Sequence, residues 1–127
     1  SPLLEIFNLN GLEKKSFEEY SRGNKQKFSI LAAMSHSPKL LLVDEPIVGL
    51  DPTGAEIAKK MFVDYAKSGG SVLLVTHTLS VAEEISDRIG FLKNGTLLVV
   101  GTLSQLRQKA NLPENASLDD IYKKLAA

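Results

Sequence analysis

Two unbroken apolar runs, Leu40-Leu41-Leu42-Val43 and Val72-Leu73-Leu74-Val75-Thr76, are separated by a segment whose apolar positions instead recur at helical spacing. Continuous runs of this length match strands buried on both faces of a parallel sheet. Between them Ile57, Met61, Phe62 and Tyr65 predict a helix, with Thr53 and Glu56 spaced as a capping box and Ser68-Gly69-Gly70 as its stop. Strand, helix, strand in that order is a right-handed βαβ unit. Upstream, a helix is predicted from Ser21, a good N-cap, to about Ser35, with Phe28, Leu31, Ala32 and Met34 on neighbouring faces and Pro38 preventing its continuation. Residues 1 to 15 read as a short helix running into a turn at Asn10-Gly11.

After the second strand a helix is expected over residues 81 to 87, capped by Ser80 with Glu83 at the third position. The period then changes to two short strands, 89–93 and 96–100, about Asn94-Gly95, the dipeptide that supplies the positive φ angles of a type I′ hairpin turn. Two further helices are predicted, over 103–110 behind Thr102 and over 118–125 behind Ser117. The order predicts an α/β fold: parallel strands with flanking helices, then a β-hairpin and closing helices.

Length and composition narrow the function. The 127 residues correspond to one domain at ~150 residues per domain. Hydrophobic residues make up 43% and charged residues 24%, a balance that supports a folded core. With 15 Lys and Arg against 15 Asp and Glu there is no basic excess for a phosphate backbone, so nucleic acid is not an expected partner. The absence of cysteine excludes disulfide scaffolds, thiol catalysis and Cys-ligated zinc. The apolar runs fall far short of the ~20 residues that cross a bilayer. The chain opens at Ser1 without Met, which reads as part of something longer.

Ligands of doubly wound α/β proteins bind beyond the carboxyl ends of the strands, which directs attention to Asp44, Glu45 and His77. Two adjacent acids after an apolar strand suit one carboxylate for a hard cation such as Mg²⁺ and a second that orients or deprotonates a nucleophile. A solvated strand end or helix cap is the plain alternative. His77 could equally do no more than hydrogen-bond a nearby carbonyl. Ser21-Arg22-Gly23-Asn24 opens a helix whose free N–H groups can seat a phosphate, or is an ordinary N-cap.

In sequence these elements stand together: Tyr20-Ser21-Arg22-Gly23-Asn24-Lys25-Gln26-Lys27, then Leu40-Leu41-Leu42-Val43-Asp44-Glu45-Pro46, then Gly49-Leu50-Asp51-Pro52, then Val72-Leu73-Leu74-Val75-Thr76-His77. Four ordered motifs over nearly the whole chain resemble the later half of an ATP-binding cassette, the ATPase domain of ABC transporters. The resemblance implies a partial P-loop NTPase (RecA-like) core that binds ATP and Mg²⁺ and hydrolyses ATP to drive transport. It implies that Ser21 and Gly23, with Arg22 and Asn24, form the signature motif that meets the γ-phosphate of ATP held by the opposite subunit. Asp44 then matches the Walker B aspartate that supports Mg²⁺, Glu45 the catalytic glutamate, Asp51 the loop aspartate between subunits, and His77 the switch histidine. Asp44 and Glu45 would point to opposite faces if both lay on a strand, so a change of direction at Pro46 is expected to bring them to one site. The signature departs from Leu-Ser-Gly-Gly-Gln: Tyr20 replaces Leu, Arg22 the first Gly and Asn24 the Gln, while Ser21 and Gly23 are kept.

No Gly-x-x-x-x-Gly-Lys-Ser/Thr loop occurs; after Gly90 and Gly95, Thr96 and Leu97 stand where Lys and Ser/Thr are required. The chain is therefore expected to be the C-terminal fragment of one cassette: 1–20 the end of the helical subdomain, 21–101 the signature, Walker B, D-loop and switch region, 102–127 the closing helices. Alone it should be nearly inactive, and its unpaired apolar strand edges predict a dimer, a swapped arrangement or a rearranged sheet. The resemblance implies two kinds of partner, a second cassette subunit across the nucleotide and transmembrane transporter subunits. It also implies a peripheral place on the cytoplasmic side of the membrane. Two other readings stand beside it: a non-transport cassette, and a phosphoacceptor receiver domain, which needs five alternating βα units and an acidic pair after its first strand.

Overall fold

The helix before the first strand ends close to its expected place. The computed structural model describes residues 22–126, and the short helix and Asn10-Gly11 turn expected within 1–15 and the Ser21 cap lie outside them. Helix α1 is Arg22–Met34, ending as Ser37 turns to φ +48° just before Pro38. The described chain forms two compact units that meet in sequence at Val75 and Thr76.

In the first unit, strand β1 (Leu40–Asp44) and strand β2 (Ser71–Val75) flank helix α2 (Pro52–Lys67). The strands pair in parallel, Leu40 opposite Ser71 through Asp44 opposite Val75, which makes the expected βαβ unit. Helix α2 ends where the glycines require it. Gly69 takes φ +102°, a conformation that a side chain resists. A Cβ on Gly70 would meet the ring of Tyr65, whose hydroxyl donates to the Pro38 carbonyl ahead of β1.

The start of α2 differs from expectation. The cap is Asp51 rather than Thr53: its Oδ1 accepts the Gly54 N–H at 2.9 Å, and Pro52 occupies the first turn, where its missing donor costs nothing. Burial of the strands also differs. Ile30, Leu31, Leu41, Ala58 and Phe62 form the buried apolar set of this unit, but Leu40 and Leu42 of β1 are 54% and 65% exposed, and Leu73 and Val75 of β2 are 56% and 52% exposed. Alternate side chains of a strand point to opposite faces. Among the described residues this sheet is therefore covered on one face, not on both as the continuous apolar runs suggested.

The second unit contains helix α3 (Leu79–Ile85), strands β3 (Ile89–Lys93) and β4 (Thr96–Gly101), and helices α4 (Leu103–Lys109) and α5 (Leu118–Leu125). Asn94 at φ +52° and Gly95 at φ +77° give the hairpin the two left-handed residues that its sequence demands. The antiparallel register shifts between Phe91 and Leu92. Ile89 and Phe91 face a core closed by Leu106, Ala110, Leu118, Ile121 and Ala126, and the Phe91 and Tyr122 rings meet edge to face at 5.4 Å. Capping boxes at Thr102 with Gln105 and at Ser117 with Asp120 start α4 and α5.

Helix α3 begins two residues earlier than expected, behind Thr78 and without a side-chain cap. Ser80 therefore lies inside it. Glu83, expected to close a capping box, instead accepts the Leu118 N–H at the start of α5, where a carboxylate also meets the positive end of the helix dipole.

Candidate functional site

The carboxyl end of β1 is built by a reversal that ordinary strand geometry does not allow. Asp44, opposite Val75, is exposed. Glu45 follows at φ +47°, in the left-handed region that a residue such as glutamate, with no local preference for it, rarely adopts. Its N–H donates to the Val75 carbonyl at 2.8 Å, so β2 holds the turn from one side. The expected change of direction thus lies at Glu45 itself, one residue before Pro46. The Pro46 carbonyl accepts the side-chain amide of Gln26 in α1 at 2.8 Å, which holds the turn from the other side.

Beyond Pro46 the loop runs against the start of α1. A Cβ on Gly23 would lie 3.0 Å from the Gly49 carbonyl oxygen, and one on Gly54 would lie 2.7 Å from Asp51 Oδ1 and 3.1 Å from Lys27 Cε. Small residues at 23 and 54 thus let α1 approach this loop closely. Gly23, Asp44, Glu45 and Asp51 all belong to this unit, with Asn24 half-buried in the first turn of α1 after Arg22. Ser21 lies outside the described residues. His77 belongs to the second unit, exposed, two residues after β2, inside a short turn in which the Thr78 N–H donates to Thr76 Oγ1 at 3.0 Å.

Gln26, Lys27, Gly49 and Gly54 went unassigned in the sequence. Gln26 stands three positions after Gly23, hence on the same face of a helix, and that spacing was the available signal. Asp51 carries a structural duty whatever else it does. Asp51→Ala is expected to cost about 1 kcal/mol of stability through loss of the cap, whereas Asp51→Asn, which keeps an acceptor, costs less. Thermal unfolding of the two variants checks this.

The donor chemistry fits a hard cation that arrives with its own phosphates. Among the described residues no three His, Cys, Asp or Glu side chains gather into a metal cage. Mg²⁺ needs none, since one or two carboxylates plus phosphate oxygens and waters complete its shell.

Comparison with known proteins shows what the chain is similar to. A family model described as ABC transporter matches residues 2–48. The chain is 38% identical over 124 residues to the ABC-type transporter ATP-binding protein EcsA of Bacillus subtilis, covering 98% of this chain and 50% of that protein. It is 38% identical over 107 residues to the bacitracin transport ATP-binding protein BcrA of Enterococcus faecalis, covering 84% of this chain and 35% of that one. A solved ATP-binding subunit of an ABC transporter superposes with a TM-score of 0.93 at 35% identity, over 99% of this chain and 52% of its own. The chain thus spans about half or less of the length of these relatives.

Proposed function

The chain belongs to the ATP-binding family of ABC transporters and has that family's α/β cassette fold; from this premise we propose that it supplies the Walker B, signature and switch residues of an ATPase subunit that drives transport. The observation that carries the reading is Glu45, a half-buried acid held in a left-handed turn at the carboxyl end of a parallel strand. Strained backbone persists where surrounding contacts impose it, and such sites cluster where chemistry is done.

The roles follow from the residue types. Asp44 would hold Mg²⁺, which when bound offsets the charge of the phosphates. Glu45 accepts the proton of the attacking water, and its tethered backbone limits the rearrangement needed at the moment of reaction. His77 donates to a γ-phosphate oxygen. Arg22, Gly23 and Asn24 at the start of α1 present backbone N–H groups and a positive dipole end to a γ-phosphate carried by a second cassette subunit, and Ser21, which precedes them in sequence, completes the signature motif. Asp51 lies on the loop that runs between the two subunits. The partners are therefore a second cassette and transmembrane subunits, with this subunit peripheral on the cytoplasmic side. No helix among the described residues is long and apolar enough to cross a membrane.

The test is phosphate release by the purified full-length protein. Mg²⁺-dependent ATP turnover is expected there, and little or none from residues 1–127 alone, which have no phosphate-cradling Gly-x-x-x-x-Gly-Lys-Ser/Thr loop. A full-length protein that binds no ATP would refute the reading.

A further inference from the structure

The hydrogen bond from Gln26 to Pro46 joins two parts of the molecule that the proposed reaction uses separately. Gln26 lies in α1, three residues after Gly23, and Nε2 donates to the Pro46 carbonyl at 2.8 Å. Pro46 is buried and immediately follows Glu45. The peptide between Glu45 and Pro46 has no N–H, because proline lacks one. The turn is therefore tethered at its two flanks. The Glu45 N–H is bound to the Val75 carbonyl at 2.8 Å, and the Pro46 carbonyl is bound to Gln26.

We propose that Gln26 is a positioning residue for Glu45, holding the left-handed turn through the Pro46 carbonyl so that the carboxylate stays where the general base of the reaction is needed. The inference rests on the ATPase reading above. Without the Gln26 donor the buried Pro46 carbonyl loses its partner, and Glu45 is drawn toward extended backbone, in which successive side chains alternate between faces. The same bond ties α1, which begins beside the phosphate-facing Gly23, to the turn that bears Glu45. Gly23 keeps the helix close enough for a glutamine to reach: a Cβ there would crowd the Gly49 carbonyl at 3.0 Å.

The experiment compares Gln26→Glu, which keeps the side-chain length but removes the donor, with Gln26→Lys, which keeps a donor, in the full-length protein. Steady-state ATP turnover and hydrogen exchange of the Glu45 amide are both read. Gln26→Glu is expected to lower kcat about tenfold, equivalent to ~1.4 kcal/mol, with KM for ATP unchanged and Glu45 exchange accelerated. Gln26→Lys is expected to restore both. Wild-type kcat in Gln26→Glu overturns the proposal, and so does a loss that Gln26→Lys fails to rescue while exchange rises throughout the chain. If the unsubstituted protein turns over no ATP, the ATPase reading fails by itself. Exchange then decides the tether: faster Glu45 exchange in Gln26→Glu, restored by lysine, supports it, and unchanged exchange overturns it.

Discussion

Glu45→Gln in the full-length protein is expected to lower ATP hydrolysis by about 10²- to 10⁴-fold while leaving nucleotide binding near its original affinity. Glutamine keeps the size and hydrogen-bonding reach of the side chain but cannot take a proton from water, so the loss should fall on kcat. The backbone is expected to stay in place, because the substitution leaves the bonds made by the Glu45 N–H and the Pro46 carbonyl intact. Single-turnover kinetics beside equilibrium binding of ATP separate the two effects. Hydrolysis at the original rate would show that Glu45 is not the base.

Leu106→Ala is expected to remove about 2 to 5 kcal/mol of stability from the second unit. Leu106 is fully buried in a core with the hairpin residues Ile89 and Phe91, Ala110 at the end of α4, and Leu118 and Ile121 of α5. A cavity there has little chance to collapse, since its walls come from two strands and two helices. Folded domains are stable by only about 5 to 15 kcal/mol in total, so a loss of this size would leave this unit largely unfolded on mild heating. Hydrogen exchange of the Ile89, Phe91 and Leu106 amides at rising denaturant concentration reports on this unit directly. Exposed Leu92, 72% accessible, is the control: Leu92→Ala should change little.

The hairpin was legible because Asn94-Gly95 is one of the few dipeptides whose conformational preference dictates a turn type. The same holds for the starts of α4 and α5, where Thr102 and Ser117 have capping partners three residues on, and for the end of α2 at Ser68-Gly69-Gly70. These are local signals, settled within a few residues. Caps with two nearby candidates were not. Thr53 with Glu56 and Ser80 with Glu83 both have capping-box spacing, yet Asp51 caps α2 and Glu83 serves α5, thirty-five residues away. The choice depends on where the helix is laid down by packing, which spacing does not record.

For the candidate site, the residue types after β1 and the order of the motifs were sufficient to nominate Asp44, Glu45, Asp51 and His77 and to give the family. They could not reveal how the turn is held. The left-handed backbone at Glu45, its bond to Val75 on a strand thirty residues further on, and the bond from Gln26 arise when three separate elements are brought together. Nor could apolar runs tell whether a strand would be covered on both faces, because composition records the capacity for burial and not its partner. The sequence by itself determined the elements, their order and the identities of the acids, since propensity, turn chemistry and spacing act over short stretches of chain. Only the tertiary structure decided the backbone that presents Glu45 and the glutamine that supports it, since contacts between distant segments can impose a conformation that local preference alone would refuse.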